Sequence, residues 1–138
     1  SQVINYAGRI VPGGDSGIGD FLFKGAVTNH AAGRMSFELA GRGDGEYDRL
    51  IVRNGSIIAR PTANGSLNLL GGTLEVTAIN GFKPVYRDAF QILDCNAING
   101  TFDSVSLPDG NERWDASDLY TQGVIRFNVP PGTVIQIR

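Results

Sequence analysis

The sequence has few of the residues that enzymes and nucleic-acid-binding proteins rely on. Its 138 residues include one cysteine, Cys95, and one histidine, His30. A single cysteine excludes a disulfide within the chain. Asp and Glu outnumber Lys and Arg by 14 to 12, and without a basic run there is no electrostatic footprint for nucleic acid. No apolar stretch approaches the roughly 18 residues of a membrane span.

Catalytic motifs are missing as well. Neither G-x-S-x-G nor H-E-x-x-H occurs. Glycoside hydrolysis needs two carboxylates held about 5–9.5 Å apart, and the acids between Asp103 and Asp118 have no spacing that singles out a pair. We therefore predict that the protein is not an enzyme and has no obligatory cofactor.

Glycine and alternating apolar residues dominate the remaining pattern. Nineteen residues are glycine, about twice average usage, and no dozen residues keep a helical spacing of apolar positions without a glycine or proline. Apolar and polar residues instead alternate in "RMSFELAG" (34–41), "GTLEVTAI" (72–79) and "VIRFNV" (124–129). This period of two is typical of strands with one buried face, so the sequence predicts an all-β protein.

Asn-Gly pairs at Asn54, Asn64, Asn80 and Asn99 flank apolar stretches. Such pairs favour turns with positive φ. Their loose repetition fits a β-solenoid, in which short strands and Asn-Gly or Gly turns form successive coils. A β-sandwich of jelly-roll type has the same turn density and remains the alternative. Either way we expect one domain over residues 1–138.

Five segments carry a resemblance to a known family through their order along the chain. The sequence contains, in succession, "VPGGDSG", "GRMSFELAGRGDGEYDRLIV", "GGTLEVTAINGFKPVYRDAFQIL", "INGTFDSVSLP" and "WDASDLYTQGVIRF". Together they resemble the C-terminal coils of autotransporter-type passengers and the related β-solenoid domains of large secreted bacterial proteins, notably planctomycete-type ones. The similarity spans about residues 11–127.

This resemblance implies structural roles and no catalytic residues. It implies that Trp114 and Tyr120 pack at the end of a coil and that Asp48 and Asp115 bind turn backbone. The chain departs from the family pattern at Arg87, where the family usually has a glycine before Asp-x-Phe-x-Ile-Leu.

One acidic loop is a calcium candidate. "GRGDGEYD" places Asp44, Glu46 and Asp48 at alternating positions beside glycines, and Ca²⁺ takes six to eight oxygen ligands from such loops. The simpler interpretation is a set of solvated turn acids.

Three Asn-Gly pairs also satisfy the N-glycosylation pattern. Asn54, Asn64 and Asn99 are each followed two residues later by Ser or Thr. Turn formation explains the same residues without modification.

The two ends of the chain suggest assembly. Residues 1–10 contain the predicted strand "QVINY", and residues 130–138 place Pro130, Pro131 and Gly132 before "TVIQIR". Because prolines interrupt ladder pairing, this last segment is predicted either to exchange between subunits or to be an ordinary final strand. The assembly candidates are the apolar residues of both ends: Val3, Val134, Ile135 and Ile137.

We therefore expect a secreted structural subunit that assembles head to tail with copies of itself into an extracellular filament or surface layer, by strand addition. The first residues lack an initiator Met and a signal-peptide charge pattern, so we expect a chain whose leader has been removed, or a trimmed one. The alternative function is a monomeric adhesive or glycan-binding module of the cell surface. Its aromatic candidates are Tyr47, Tyr86, Trp114 and Tyr120.

Overall fold

The protein is all-β. The computed structural model describes residues 2–14, 17–43, 45–53 and 65–129. A short 3-10 helix covers Asn111–Arg113. The strands, in chain order, are β1 (Gln2–Asn5), β2 (Arg9–Ile10), β3 (Asp20–Lys24), β4 (Ala26–Asn29), β5 (Arg34–Leu39), β6 (Arg49–Arg53), β7 (Ser66–Leu70), β8 (Thr73–Ala78), β9 (Ala89–Gln91), β10 (Leu93–Cys95), β11 (Ala97–Thr101), β12 (Ser104–Ser106), β13 (Trp114–Asp115) and β14 (Val124–Phe127).

Three parallel sheets contain most of these strands. Sheet 1 has the order β1-β4-β7-β11, sheet 2 the order β2-β5-β8-β12, and sheet 3 the order β3-β6-β10. Apart from the inserted β9, strands β1 to β12 therefore enter sheets 1, 2 and 3 in turn, and the chain returns to each sheet beside the strand it left there. Every pairing within these sheets is parallel.

The core lies between the three sheets and is built from stacked apolar residues. In sheet 1, Val27 pairs with Leu67, and in sheet 2, Met35 pairs with Leu74. All four side chains are buried. Because parallel strands in register place like positions side by side, each pass of the chain adds one layer to the same apolar column.

A fourth sheet is antiparallel and joins the C-terminal part of the chain to the inserted strand. Its order is β13-β14-β9. Trp114 on β13 packs against Phe90 on β9 and Phe127 on β14, with ring centroids 5.9 and 5.2 Å apart. The Trp114 indole N–H donates to the Pro108 carbonyl oxygen at 2.9 Å, which satisfies its one polar atom inside the core.

The strand predictions from alternation are confirmed, since β5, β8 and β14 lie in the three alternating segments. Asn80 and Gly81 form a turn with φ of 55° and 76°, also as predicted. The predicted turn at Asn99 is wrong: Asn99 and Gly100 lie inside β11, paired with β7. Gly100 has a φ of 84° there, so the glycine serves an irregular strand instead of a reversal. Among the described residues, no helix is long and apolar enough to cross a membrane.

Candidate functional site

One end of the stacked sheets is formed by edge strands. β1, β2 and β3 are each the first strand in the order of their sheet, and each pairs on one side only with a described strand. An unpaired parallel edge presents N–H and C=O groups that another strand can use.

The apolar core reaches solvent at this end. Val3, Phe21 and Phe23 point toward the core and pack against it, yet all three are only partly buried. Their neighbours in register are Val27, Leu50 and Val52, and each of these is at most 1% exposed. No described strand thus covers the first layer of the column in the way that the first layer covers the second.

Exposed apolar side chains border the same end. Ile4 on β1 is 41% exposed and Leu22 on β3 is 51% exposed. Just beyond β1, the exposed ring of Tyr6 stacks on His30 at 4.5 Å between centroids. We call the edges of β1, β2 and β3 with Val3, Phe21 and Phe23 the open end.

The opposite end is crossed by residues 107–127, which contact each parallel sheet. On β10, the Leu93 N–H donates to the Gly123 carbonyl oxygen at 3.2 Å. Directly after β11, the Phe102 N–H donates to the Tyr120 hydroxyl at 3.2 Å. The Val105 carbonyl oxygen of β12 accepts from the Asn111 amide at 2.7 Å.

Apolar residues of this crossing segment also complete the core. Leu107, Leu119 and Ile125 are all buried. The two ends of the stack are therefore different: residues 107–127 cover one end, and no described segment of the chain covers the other. The packing of Trp114 and Tyr120 there agrees with the role that the family resemblance implied.

Two buried asparagines were missed by the sequence analysis. Asn5 and Asn29 end β1 and β4, pair in register and lie in the interior. The repeated segments "NYAGR" and "NHAAGR", which begin at these residues, were the available signal. They mark the point where each pass turns from sheet 1 into sheet 2.

The acidic residues of the calcium candidate have other contacts. Both Asp48 carboxylate oxygens accept backbone N–H groups, from Gly19 and from Glu38, at 2.9 Å each. Glu46 Oε1 accepts from the Gly43 N–H at 2.9 Å, and Asp44 lies outside the described residues. Among the described residues, no group of three His, Cys, Asp or Glu is placed to hold a metal ion. Calcium binding stays a sequence-based prediction.

Burial controls the ionisation of Asp48. The carboxyl is fully buried, and this loss of hydration raises its pKa to about 6, although the two backbone hydrogen bonds act in the opposite direction. Asp115, by contrast, binds its own turn through the Ser117 N–H at 2.9 Å, and hydrogen bonds from Ser117 lower its pKa. Asp115 therefore binds turn backbone, as the resemblance implied, whereas Asp48 binds the backbone of strand β5 at Glu38 and of Gly19 just before β3.

The aromatic candidates for glycan binding do not form one exposed face. Tyr47 and Trp114 are buried, at 6% and 7% exposure, so the expectation that they are displayed is wrong. Their rings complete the core around Phe90. Tyr120 uses its hydroxyl on the backbone, and Tyr86 lies under the Arg87 guanidinium at 5.3 Å.

Some of the remaining residues that the sequence analysis singled out lie in the described part of the chain, and others lie outside it. Asn99 is exposed on β11, and its amide donates to Asn68 Oδ1 at 2.9 Å. Cys95 packs against the core, and burial raises its pKa to about 12, so the thiol stays protonated at neutral pH. Outside the described residues lie Asn54, Asn64, Val134, Ile135 and Ile137.

A polar groove of about 240 Å³ crosses the outer face of sheet 2. It spans β2, β5, β8 and β12, the four strands of sheet 2. We call it the sheet 2 groove. Its lining residues are Arg9, Val11, Gly14, Ser36, Phe37, Glu38, Glu75, Thr77 and Ser106.

Comparison with known proteins finds no matching family model, no matching curated protein and no matching solved structure.

Proposed function

We propose that the protein is a β-solenoid structural subunit that assembles head to tail with copies of itself outside the cell. The solenoid assignment is supported by the three parallel sheets, each of which gains one strand per pass of the chain. A jelly-roll sandwich is built from antiparallel strands. Antiparallel pairing between named strands is confined here to β9, β13 and β14, beside one isolated antiparallel bridge between Leu39 and Tyr47.

The observation that carries the assembly proposal is the difference between the two ends. At the open end, Val3, Phe21 and Phe23 are only partly buried where the next layer is fully buried. Another layer of chain over them would remove apolar surface from water, worth about 25 cal/mol per Å². A strand added to one of the free edges would also pair the N–H and C=O groups of that edge.

The occupant that we propose is the C-terminal segment of a neighbouring copy. "TVIQIR" (133–138) lies outside the described residues, so its part rests on sequence alone. Its six residues are comparable in length with the four of β1 and the five of β3. Ile135 and Ile137 would share the face toward the neighbour's core, beside Val3. Because the donor and acceptor surfaces differ, the contact repeats from copy to copy, and it gives a filament when the rotation between copies does not close a ring.

The experiment measures particle size by light scattering after size-exclusion chromatography, with negative-stain electron microscopy of the same fractions. It compares the full chain, a chain ending at Gly132, and the variant Ile4→Lys, which places a charge on the free edge strand β1 beside Val3. Leu70→Lys is the matched control, because Leu70 is also an exposed aliphatic residue of sheet 1, at 59%, but lies on the interior strand β7.

We expect filaments from the full chain and from Leu70→Lys, and monomers from the other two. A full chain that stays monomeric at high concentration would overturn the assembly. Filaments that persist in the chain ending at Gly132 would overturn the C-terminal segment as the donor strand.

A further inference from the structure

Polar side chains on the floor of the sheet 2 groove form hydrogen bonds with one another. Arg9 Nε donates to Ser36 Oγ at 3.0 Å, and Ser36 Oγ donates to Glu75 Oε1 at 2.8 Å. The other Glu75 oxygen accepts from Arg34 Nη1 at 2.9 Å. Both oxygens of Glu75 are therefore occupied, and its charge is balanced. These contacts link β2, β5 and β8 across the outer face.

Other groups in the groove have no partner among the residues that the structure describes. No described residue donates a hydrogen bond to the Glu38 carboxylate. Arg9 donates only through its Nε, so its two terminal NH₂ groups have no described acceptor. The Thr77 and Ser106 side chains also have no described hydrogen-bond partner. A half-buried carboxylate without a donor is poorly satisfied compared with one that binds a hydroxyl.

The register arranges these groups in two rows across the strands. Ser36 pairs with Glu75, and Glu75 pairs with Ser106, which gives one row. Glu38 pairs with Thr77 in the second row. Neighbouring strands lie about 4.8 Å apart, so polar groups recur at that interval along the groove.

We propose that the sheet 2 groove binds a neutral oligosaccharide that lies across β5, β8 and β12. Sugar hydroxyls both donate and accept, so they can satisfy the Glu38 carboxylate and the Arg9 guanidinium together. Around the groove, the positive charges of Arg9 and Arg34 balance the negative charges of Glu38 and Glu75. This balance favours an uncharged ligand over a polyanion. Apart from Arg9 on β2 and the two residues that follow it in the lining, the groove is formed by β5, β8 and β12, which are not edge strands of the open end, so the site exists in the unassembled chain.

The test records two-dimensional amide NMR spectra of the chain ending at Gly132 and of the full chain during titration with cellohexaose, xylohexaose and laminarihexaose. A polygalacturonate fragment serves as the charged comparison. The variants are Glu38→Gln and Thr77→Val in the groove. Glu112→Gln is the matched control, because Glu112 is an exposed acid outside the groove.

We expect millimolar binding of at least one neutral hexasaccharide, with shifts centred on Ser36, Thr77 and Ser106. Glu38→Gln should weaken it about fivefold, since hydrogen bonds to charged acceptors are the stronger ones, and Glu112→Gln should leave it unchanged. The proposal is overturned if none of the three neutral probes shifts groove amides. It is also overturned if only polygalacturonate binds, or if Glu38→Gln binds as well as the parent chain.

Discussion

The amide of Asn5 donates a hydrogen bond to Oδ1 of Asn29 at 2.8 Å, inside the protein and between the ends of two parallel strands. The Asn29 amide in turn lies 3.2 Å from the Gly33 carbonyl oxygen and 3.3 Å from that of Gly71. Since Gly71 directly follows β7, these two side chains connect three successive passes of the chain. They do so at the turn between sheet 1 and sheet 2.

Replacing Asn29 with alanine should destabilise the protein by about 2–4 kcal/mol, because it removes the buried acceptor of the Asn5 amide and the donor that reaches the Gly33 and Gly71 carbonyl oxygens. Asn99→Ala is the matched control. Asn99 makes the same kind of amide contact, with Asn68, across two parallel strands, but in solvent. Its loss should cost less than about 0.5 kcal/mol. Urea unfolding of both variants measures the difference, and equal losses would contradict a special role for the buried pair.

The strands that the sequence predicts best are those whose burial alternates. On one face, β5 buries Met35 and Phe37, and β8 buries Leu74 and Val76. The alternation in the sequence therefore predicts both strands directly. β6 has no such signal, because Leu50, Ile51 and Val52 are all buried. The sheet order depends on pairings between distant residues, and local periodicity carries no information about them.

The acidic loop shows that a local sequence pattern is also a poor guide to the environment of a candidate site. Asp44, Glu46 and Asp48 alternate in sequence like ligands of one ion. The contact that determines the environment of Asp48 comes from Gly19, 29 residues earlier in the chain. Composition therefore indicates a solvated carboxylate, whereas the fold buries it. The sheet 2 groove was missed for the same reason, since its polar residues come from four different strands.

The buried carboxyl of Asp48 should make stability depend on pH. Its pKa is about 6 in the folded protein and 3.8 in an unperturbed carboxyl, so the native state binds this proton more tightly than the unfolded state. The contribution is fully present below about pH 4 and is lost as pH rises through 6. It amounts to at most about 3 kcal/mol.

Urea unfolding at several pH values between 4 and 7 measures this contribution when the parent chain is compared with Asp48→Asn. The neutral amide cannot titrate, so the free energy of unfolding of the variant relative to the parent should rise across that interval. Other carboxyl groups cancel in the comparison. Parallel pH profiles for the two proteins would show that Asp48 ionises normally.

Arg87 occupies a backbone conformation that favours glycine, with a φ of 76°. The resembled family usually has a glycine at this position. At ordinary φ, glycine is less stable than alanine by roughly 0.5–1 kcal/mol, whereas in the left-handed region alanine carries a strain of roughly 1–2 kcal/mol. We therefore expect Arg87→Gly to be more stable than Arg87→Ala by about 1 kcal/mol.

Both Arg87 variants lose the contact of the guanidinium with Tyr86, so their comparison isolates the backbone. Thermal unfolding gives the order of stability. Lys83, exposed in the same loop and without a positive φ, is the control, and there glycine should be the less stable substitution. The same order at both positions would contradict strain at Arg87.

Gly100 and Gly81 have nearly the same φ, 84° and 76°, in different surroundings. A Cβ on Gly100 would lie 2.0 Å from the Leu69 carbonyl oxygen on the paired strand, whereas nothing lies within 4 Å of a Cβ on Gly81. Gly81→Ala should therefore cost about 1 kcal/mol from backbone strain alone. Gly100→Ala adds a clash with main chain that only a shift of β11 away from β7 relieves, and we expect a loss of about 3 kcal/mol or more. Chemical unfolding of the two variants compares these losses. Similar values would mean that β11 moves without loss of pairing, and that the close approach of Gly100 to Leu69 does not hold that strand in place.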